Sequence, residues 1–547
     1  MDKPTTSTTS ESTDESDESV NYLNLDADKV LSAFGKYGKY QMLTYCITMS
    51  VQVLFAVNMM VMPFITKPAS FECSFDAKPQ WTFTRIPDDQ CHILDSNNWS
   101  IPCLIVPGAQ YNYTDAGDSL ASDFNLVCDD QDAMDHGTSV FLLGNMLVAP
   151  LASQLSDIFG RRKTFLIPLY ISVISNIFSA FAWNFTAFLI GRFFSGVATA
   201  SFTMIGYVLC MESVSMKFRS LIPILGTITW VGGYTLAGFL SLFIHNWRVL
   251  YLVITIPSLL TIPFYFFTPE SLHWLITKRK GKKVEKFINN CQEFNKKDIS
   301  LKECESDAYL MNRVAAERNA TDLFKNSSIF FNLMINSYIL IVMNGTYWAL
   351  SLFSTELSDD GITGYFLSGL VELPAGLLSV PLLIWLPRKT VSFLALASTS
   401  VFLLCSVYIP MTGNWGMIFP LLAKSMNSIA WSSQPLLYSE GTPTSIRNVY
   451  CGIVSFIGDI GSVVAPYSKR LEVIDKNAPF LLITILSIIA SILVYGLPET
   501  KNRKLPEDIE DFEPGPILRR FRRFRVLSES RPQNLEMVDS ENTNCIA

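Results

Sequence analysis

The sequence predicts an all-α membrane protein with twelve transmembrane helices in two six-helix halves. Of its 547 residues, 49% are hydrophobic and 17% are charged, whereas soluble proteins carry about 25% charged residues. About a dozen apolar stretches each reach the length of roughly 20 residues that crosses a bilayer. One long polar stretch separates the first six of them from the last six. The chain is therefore expected to form two membrane halves joined by a linker.

The expected spans follow each other along the chain at 40–65, 136–156, 164–183, 187–211, 221–244, 248–268, 329–354, 363–386, 390–410, 414–437, 450–468 and 478–497. They define an amino-terminal tail (1–39), a first half (40–268), a linker (269–328), a second half (329–497) and a carboxy-terminal tail (498–547). A large loop, 66–135, separates the first two spans.

Basic residues predict the orientation of these spans. Most clusters fall on one side, together with both termini: Arg161 to Lys163, Lys217 and Arg219, Lys278 to Lys280, Arg388 and Lys389, Arg447, and the arginines of 519–525. The positive-inside rule makes that side cytoplasmic. Lys469 and Arg470 break the pattern, partly offset by nearby acids.

The large loop is then expected outside the cell. It carries glycosylation sequons at Asn98 and Asn112. Its four cysteines predict two disulfides in an oxidising compartment, with three pairings open: Cys73, Cys91, Cys103 and Cys128.

The sequence lacks the motifs of several functional classes of protein. The chain has no GxxxxGK[ST] sequence and no dinucleotide fingerprint, which argues against an ATP-driven pump. Its four histidines are scattered, and no metal-ligand or catalytic constellation is visible. We therefore expect no enzyme activity, no metal, no cofactor and no nucleic-acid partner.

A short charged turn between the second and third spans is the most informative motif. Residues 156–163 read SDIFGRRK, with one acid and three adjacent bases between two long apolar segments. Residues 157–162 resemble the D-x-x-G-R-R loop signature of the major facilitator superfamily. Four further segments resemble the organic cation/anion/zwitterion transporter family: 269–275 (PESLHWL), 366–374 (FLSGLVELP), 438–447 (YSEGTPTSIR) and 497–501 (LPETK). His273 stands where that family has arginine.

The resemblance covers residues from about 30 to 511. It implies the major facilitator fold, alternating access and a multi-pass plasma-membrane protein with both termini in the cytoplasm. It also implies that a charged network closes the cytoplasmic ends of the helices, formed by Asp157, Gly160, Arg161, Arg162, Arg192, Glu212, Glu440 and Arg447. The alternative is that these bases only fix the topology. The matching turn of the second half, 385–389 (WLPRK), lacks the acid and the glycine, so its acid–base pair is expected to be lost.

Three charged side chains lie well inside apolar spans: Glu372, Lys424 and Asp459. An ionised residue there costs roughly 2.5–3.5 kcal/mol or more, so each should face a cavity or a partner. The segment 458–461 (GDIG) resembles helix eleven of organic cation transporters, and a fixed carboxylate attracts ammonium groups. The alternative is that Asp459 forms a structural ion pair with Lys424. An incoming cation would then compete with Lys424 for the carboxylate. Glu372 is expected either as a second negative site or as a polar contact between helices.

Aromatic residues would complete a cation site through cation–π contacts of about 0.5–2 kcal/mol each. Tyr347 matches a family tyrosine, and the other candidates are Trp348, Trp230, Tyr234 and Trp431. Most aromatic residues of such a chain must instead pack or lie at the membrane interface.

These features predict a polyspecific carrier of small organic cations such as monoamines, choline-like or quaternary ammonium compounds. Alternating access driven by the membrane potential would move them. The alternatives are an organic anion or carnitine-like zwitterion carrier, for which Lys424 leaves room, and a receptor-like relative that no longer transports.

Overall fold

The computed structural model describes residues 22, 24–35, 37–75, 84–86, 89–94, 99–105, 109–114, 117–219, 222–299, 301–304, 325–358, 360–409, 413–443, 446–503, 506, 512–513 and 515–516. The sequon at Asn98 lies outside these residues. Asn112 lies exposed in a strand of the large loop.

Twenty helices follow one another, and ten of them have 18 residues or more. They are α1 Ala27–Ala33, α2 Lys39–Met60, α3 Met62–Ile65, α4 Leu120–Phe124, α5 Met134–Phe159, α6 Arg161–Ala180, α7 Phe185–Ser213, α8 Met216–Arg219, α9 Ile222–Phe243, α10 Trp247–Leu259, α11 Phe264–Phe267, α12 Leu272–Thr277, α13 Gly281–Asn295, α14 Ser327–Leu352, α15 Ile362–Leu370, α16 Glu372–Trp385, α17 Arg388–Tyr408, α18 Ile418–Glu440, α19 Arg447–Val464 and α20 Ala478–Tyr495. This count covers the described part of the chain.

Eleven helical segments among the described residues are long and apolar enough to cross a membrane. The twelfth expected span is α18, which has 23 residues but is more polar. Its polar side chains point into the protein, because Lys424 is 1% exposed and Asn427 and Gln434 are 0% exposed. The predicted twelve-helix bundle is therefore confirmed, and its tenth span is a helix whose buried face is polar.

Glycines bring the helices of each half into close contact. A Cβ atom at Gly196 of α7 would lie 2.1 Å from the backbone oxygen of Phe141 in α5. In the second half, a Cβ atom at Gly461 of α19 would lie 2.0 Å from the oxygen of Ile341 in α14. Small residues at such crossings let membrane helices pack backbone to backbone.

The eighth span is interrupted at Val371, between α15 and α16. Pro374 has no N–H to continue the helical hydrogen bonds, which explains the break. Glu372 is consequently the first residue of α16.

The large loop forms two small antiparallel sheets. One pairs β1 Phe71–Phe75 with β5 Ala109–Tyr113, and the other joins β2 Thr84–Ile86, β3 Asp89–Leu94 and β4 Ser100–Pro102. The disulfides are Cys73–Cys103 and Cys91–Cys128, one of the three pairings open from sequence. Asp123 anchors the loop to α10 by accepting from Trp247 Nε1 at 2.7 Å and Arg248 Nε at 2.8 Å.

The opposite end of the bundle carries the charged turn and a helical cluster. We call it the turn end, and the end with the large loop the loop end. Here α1 from the amino-terminal tail packs with α12 and α13 from the linker around a shared apolar core, including Val30, Trp274 and Ile288. The described helices α1, α12 and α13 therefore form one packed unit at the turn end.

Candidate functional site

A cavity of about 1010 Å³ lies between the two halves. Its walls come from α2, α7 and α9 of the first half and from α14, α16 and α18 of the second, and they include Gln52, Thr227, Trp230, Asn344, Tyr347, Trp348, Glu372, Ser428, Trp431 and Ser432. Arg388 and Lys501 also line it, so the cavity reaches the turn end.

The two halves contact each other at the loop end. Tyr365 of α15 donates to the backbone oxygen of Met60 in α2 at 3.1 Å and stacks on Tyr234 of α9 with ring centroids 4.5 Å apart. Farther out, His136 Nδ1 lies 2.7 Å from the Tyr467 hydroxyl. The cavity is thus open at the turn end and covered at the loop end.

Lys469 and Arg470, the exceptions to the charge rule, take part in this closure. Arg470 Nε lies 3.3 Å from Asp132 of the first half, and Lys469 pairs with Glu356. These two bases are tolerated at the loop end because each is paired with an acid there, Lys469 with Glu356 and Arg470 with Asp132.

A buried ion pair lies beside the cavity. Lys424 Nζ lies 3.0 Å from Glu372 Oε1 and donates to Ser368 Oγ at 2.8 Å. The Tyr347 hydroxyl donates to the same Glu372 oxygen at 2.9 Å, and Trp230 Nε1 donates to the Tyr347 hydroxyl at 2.9 Å. This chain of hydrogen bonds joins the second half to α9 of the first half. It therefore fixes the Glu372 carboxylate in the cavity wall.

The suggested pair between Asp459 and Lys424 is wrong. Glu372 occupies the position next to the ammonium group because the break before α16 places it there. Asp459 is half-buried, and its Oδ1 accepts from Asn344 Nδ2 at 3.4 Å. Within the described part of the chain, no ion pair involves Asp459. Its negative charge stands one side chain behind the cavity wall, since Asn344 lines the cavity.

The other expected site residues divide into two groups. Trp230, Tyr347, Trp348, Glu372 and Trp431 line the cavity. Tyr234 and Lys424 lie behind it, with Lys424 Nζ 4.8 Å from the centre of the Tyr234 ring. This ring therefore already contacts a cation of the protein itself.

Sequence reasoning missed the uncharged polar residues of the wall, among them Gln52, Thr227, Asn344 and Ser432. Such residues are common in the spans of this chain, and only the helix packing shows which of them face the cavity. The one available signal was the polar run of α18, which contributes Ser428 and Ser432.

The charged turn of the first half forms a network with neighbouring helices. Arg161 lies 2.8 Å from Asp157 and binds Glu212 with Nε and Nη2 at 3.1 and 3.2 Å. Glu270 accepts from the backbone N–H of Arg162 at 3.0 Å. The network thus connects α5, α6, α7 and the chain after the sixth span.

The second half repeats the contacts of this network to neighbouring segments, but the acid–base pair within its turn is lost, as expected. Glu499 accepts from the backbone N–H groups of Arg388 and Lys389 at 2.9 and 3.1 Å, and Arg388 Nε lies 3.6 Å from Glu440. The sequence pattern covers only the turn itself, so it does not reveal the contact with Glu440 of α18. Ile384 stands one turn before Arg388, where the first half has its acid.

Two further expected partners lie elsewhere. Arg447 donates to the backbone oxygen of Thr442, while Glu440 pairs with Arg388. Arg192 is fully buried towards the loop end, where it donates to the backbone oxygen of Asn58 and to the Tyr251 hydroxyl. Helix α7 runs from the loop end to the turn end, and Arg192 lies in its first half.

A substitution at Gly160 tests whether the charged turn is needed for transport. Its φ of +101° disfavours any other residue, and a Cβ atom would lie 2.5 Å from Glu270 Oε2. We expect Gly160→Ala to displace Glu270 and to lower transport activity at least several-fold at equal surface expression. Gly232→Ala is the matched control, because a Cβ atom there meets nothing within 4 Å and this residue does not line the cavity. Equal activity of both variants would contradict the role of this turn.

Comparisons with known proteins agree with this architecture. The family model described as Major Facilitator Superfamily matches residues 100–466. The Organic cation transporter protein of Drosophila melanogaster is 26% identical over 525 residues, covering 89% of this chain and 94% of that protein. Solute carrier family 22 member 7 of Sus scrofa is 27% identical over 442 residues, covering 79% of each. The inward open xylose transporter XylE from E. coli aligns with a TM-score of 0.59 and 14% identity, covering 87% of this chain and 100% of that one.

Proposed function

This chain belongs to the major facilitator superfamily of membrane transporters, and we propose that it carries small organic cations across the plasma membrane by alternating access. The names of its relatives, organic cation transporter and solute carrier family 22 member, support an organic ion as the substrate. The turn end then faces the cytoplasm, where its basic residues belong. The loop end with its two disulfides faces the oxidising exterior.

The carboxylate of Asp459 is the observation that most supports a cation as the substrate. It stands near a large cavity without a cationic partner among the described residues, and Asn344, which donates to it, lines that cavity. A cation that enters can supply the missing positive charge. Aromatic side chains line the same cavity and offer cation–π contacts, among them Trp230, Tyr347, Trp348 and Trp431.

The organic anion alternative depended on Lys424. Its ammonium group is 1% exposed and lies 3.0 Å from Glu372, so it presents little positive charge to a ligand. The two bases at the mouth are also engaged, Arg388 with Glu440 and Lys501 with the backbone oxygens of Ile384 and Leu386. The inner part of the cavity, away from its mouth, thus presents no unpaired cationic group among the described residues, which supports a cation as the substrate.

The membrane potential is a sufficient driving force for this transport. A monovalent cation that moves inward through the full field gains about 2.3 kcal/mol per 100 mV. The cavity open at the turn end and the closed loop end correspond to the state that releases substrate into the cytoplasm. In the opposite state, the two charged turns would approach each other and the contacts at Asp132 and His136 would separate.

Uptake measurements separate the substrate classes. Cells that express the protein at the surface should accumulate labelled tetraethylammonium, and unlabelled organic cations should inhibit this uptake. The anion p-aminohippurate should neither enter nor inhibit at equal concentration. Inhibition by the anion alone would establish the anion carrier instead, and the absence of any tracer flux from a surface-localised protein would favour the receptor-like alternative.

A further inference from the structure

Helix α13 lies across the turn end of the first half, where membrane spans begin and end. At its start, Lys280 Nζ stands 3.8 Å from the centre of the Trp274 ring, and Trp274 Nε1 donates at 3.0 Å to the backbone oxygen of Asp157 in the last turn of α5. At its other end, Asn295 Oδ1 accepts at 3.2 Å from the backbone N–H of Tyr40, the second residue of α2. Both ends of α13 are thus held at the ends of spans, so the helix runs along the membrane boundary.

The apolar face of α13 is already covered. Its buried residues repeat at the three- and four-residue spacing of one helix face and share a core with α1 and α12: Val284, Phe287, Ile288 and Cys291. Any further partner of α13 must therefore bind one of the two flanks that border this face.

One flank of α13 is basic and aromatic. Lys283 and Phe294 lie on the same side of the helix as Phe287, and Lys286 lies next to them. Both lysines are exposed, and so is the Phe294 ring. The ring of Tyr40 packs on this flank, with its centroid 5.8 Å from that of Phe287 and 5.7 Å from that of Phe294. Because Tyr40 stands at the start of the first span, we call this side of α13 the membrane flank.

The two flanks differ in charge. The opposite flank mixes one base with two acids, Lys282 with Glu285 and Glu293, as is usual for a solvated helix surface. The membrane flank carries bases only. Within the residues that the structure describes, neither of its lysines takes part in an ion pair. Lys39, just before Tyr40, adds a third exposed base at the same edge.

We propose that the membrane flank of α13 binds anionic phospholipid headgroups of the leaflet at the turn end. The ammonium groups of Lys283 and Lys286 pair with the negative headgroups, and the exposed Phe294 ring lies at the headgroup level, which aromatic side chains favour. Bound lipid anchors α13 beside the first span, because the same flank contacts Tyr40. The binding rests on the position and charge of this flank. Only the assignment to the cytoplasmic leaflet, which is rich in anionic lipid, rests on the orientation in the proposed function.

Native mass spectrometry of the purified full-length protein, with phosphatidylserine added stepwise to the detergent, tests this binding. Lys283→Gln combined with Lys286→Gln should weaken the apparent affinity for phosphatidylserine by at least roughly fivefold, because each base near an anionic surface attracts it. Lys283→Arg combined with Lys286→Arg should bind like the wild type, since arginine keeps the charge. Phosphatidylcholine, which has no net charge, should bind equally to all of these proteins.

Lys282→Gln combined with Lys476→Gln is the matched control. It also removes two exposed positive charges, one from the opposite flank of α13 and one from the loop end, and it should bind phosphatidylserine like the wild type. Equal affinity of the wild type and the membrane-flank glutamine variant would overturn the proposal. An equal loss in both glutamine variants would also overturn it, because net charge alone would then explain the binding.

Soluble glycerophosphoserine separates a lipid from a free phosphate ester. It has the same headgroup without the acyl chains, so it should displace phosphatidylserine only at far higher concentration. Displacement at equal concentration would overturn a membrane lipid as the occupant. No transport substrate is present in these measurements, so their failure leaves the proposed function untouched.

Discussion

Replacing Asp459 by asparagine is expected to lower tetraethylammonium uptake tenfold or more while surface expression stays near that of the wild type. Because Asn344 lies between them, a cation in the cavity would stand roughly 7 Å from the carboxylate, and two unit charges at that distance interact by ~2.4 kcal/mol at an effective dielectric constant near 20. A difference of about 1.4 kcal/mol corresponds to a factor of ten. Asparagine keeps the shape and the hydrogen bond from Asn344. It removes only the charge, so the loss reports on the electrostatic attraction.

Two further variants sharpen this experiment. Asp459→Glu keeps the charge on a longer side chain and should retain part of the uptake. Asp475→Asn makes the same chemical change at an exposed residue of the loop end and should transport normally. Uptake kinetics of Asp459→Asn that match those of the wild type would show that substrate recognition lies elsewhere in the cavity.

Replacing Lys424 by methionine is expected to destabilise the protein strongly. Glu372 is 5% exposed and has Lys424 as its counter-ion, and removal of one partner of a buried pair costs roughly 3–5 kcal/mol. We expect poor surface expression and a clear drop in the thermal unfolding temperature of the protein in detergent. The Tyr347 hydroxyl, which donates to Glu372, compensates only part of the lost charge.

The double variant Lys424→Met with Glu372→Gln separates stability from function. With no charge left to bury, its thermal stability should recover most of the loss seen in Lys424→Met alone. Its cation uptake should then report on the need for Glu372 in the cavity wall. If the two single substitutions destabilise additively in the double variant, the ion pair does not hold these helices together as described.

The charged residues of the membrane spans show what a sequence can and cannot predict here. Glu372, Lys424 and Asp459 were found because charge inside an apolar run is costly. The structure was needed to show which carboxylate pairs with Lys424. It is Glu372, which stands at the start of α16 beside α18. Spacing along the chain carries no information on such contacts between helices.

The same limit applies to the charged turns and to the loop. The turn of the first half was predicted from a local pattern, and Arg161 does pair with Asp157 within that turn. Arg388 of the second half lies beside Glu440 on another helix, and no local pattern predicts such a contact. The four loop cysteines predicted two disulfides, but their pairing required the strand arrangement that brings Cys73 to Cys103.

The current evoked by tetraethylammonium tests the central claim most directly. In voltage-clamped cells that carry the protein at their surface, external tetraethylammonium should evoke an inward current that grows as the interior becomes more negative, and Asp459→Asn should reduce this current at least tenfold. A current of equal size in that variant, or a protein that carries p-aminohippurate and no cation, would contradict a cation carrier built around this carboxylate.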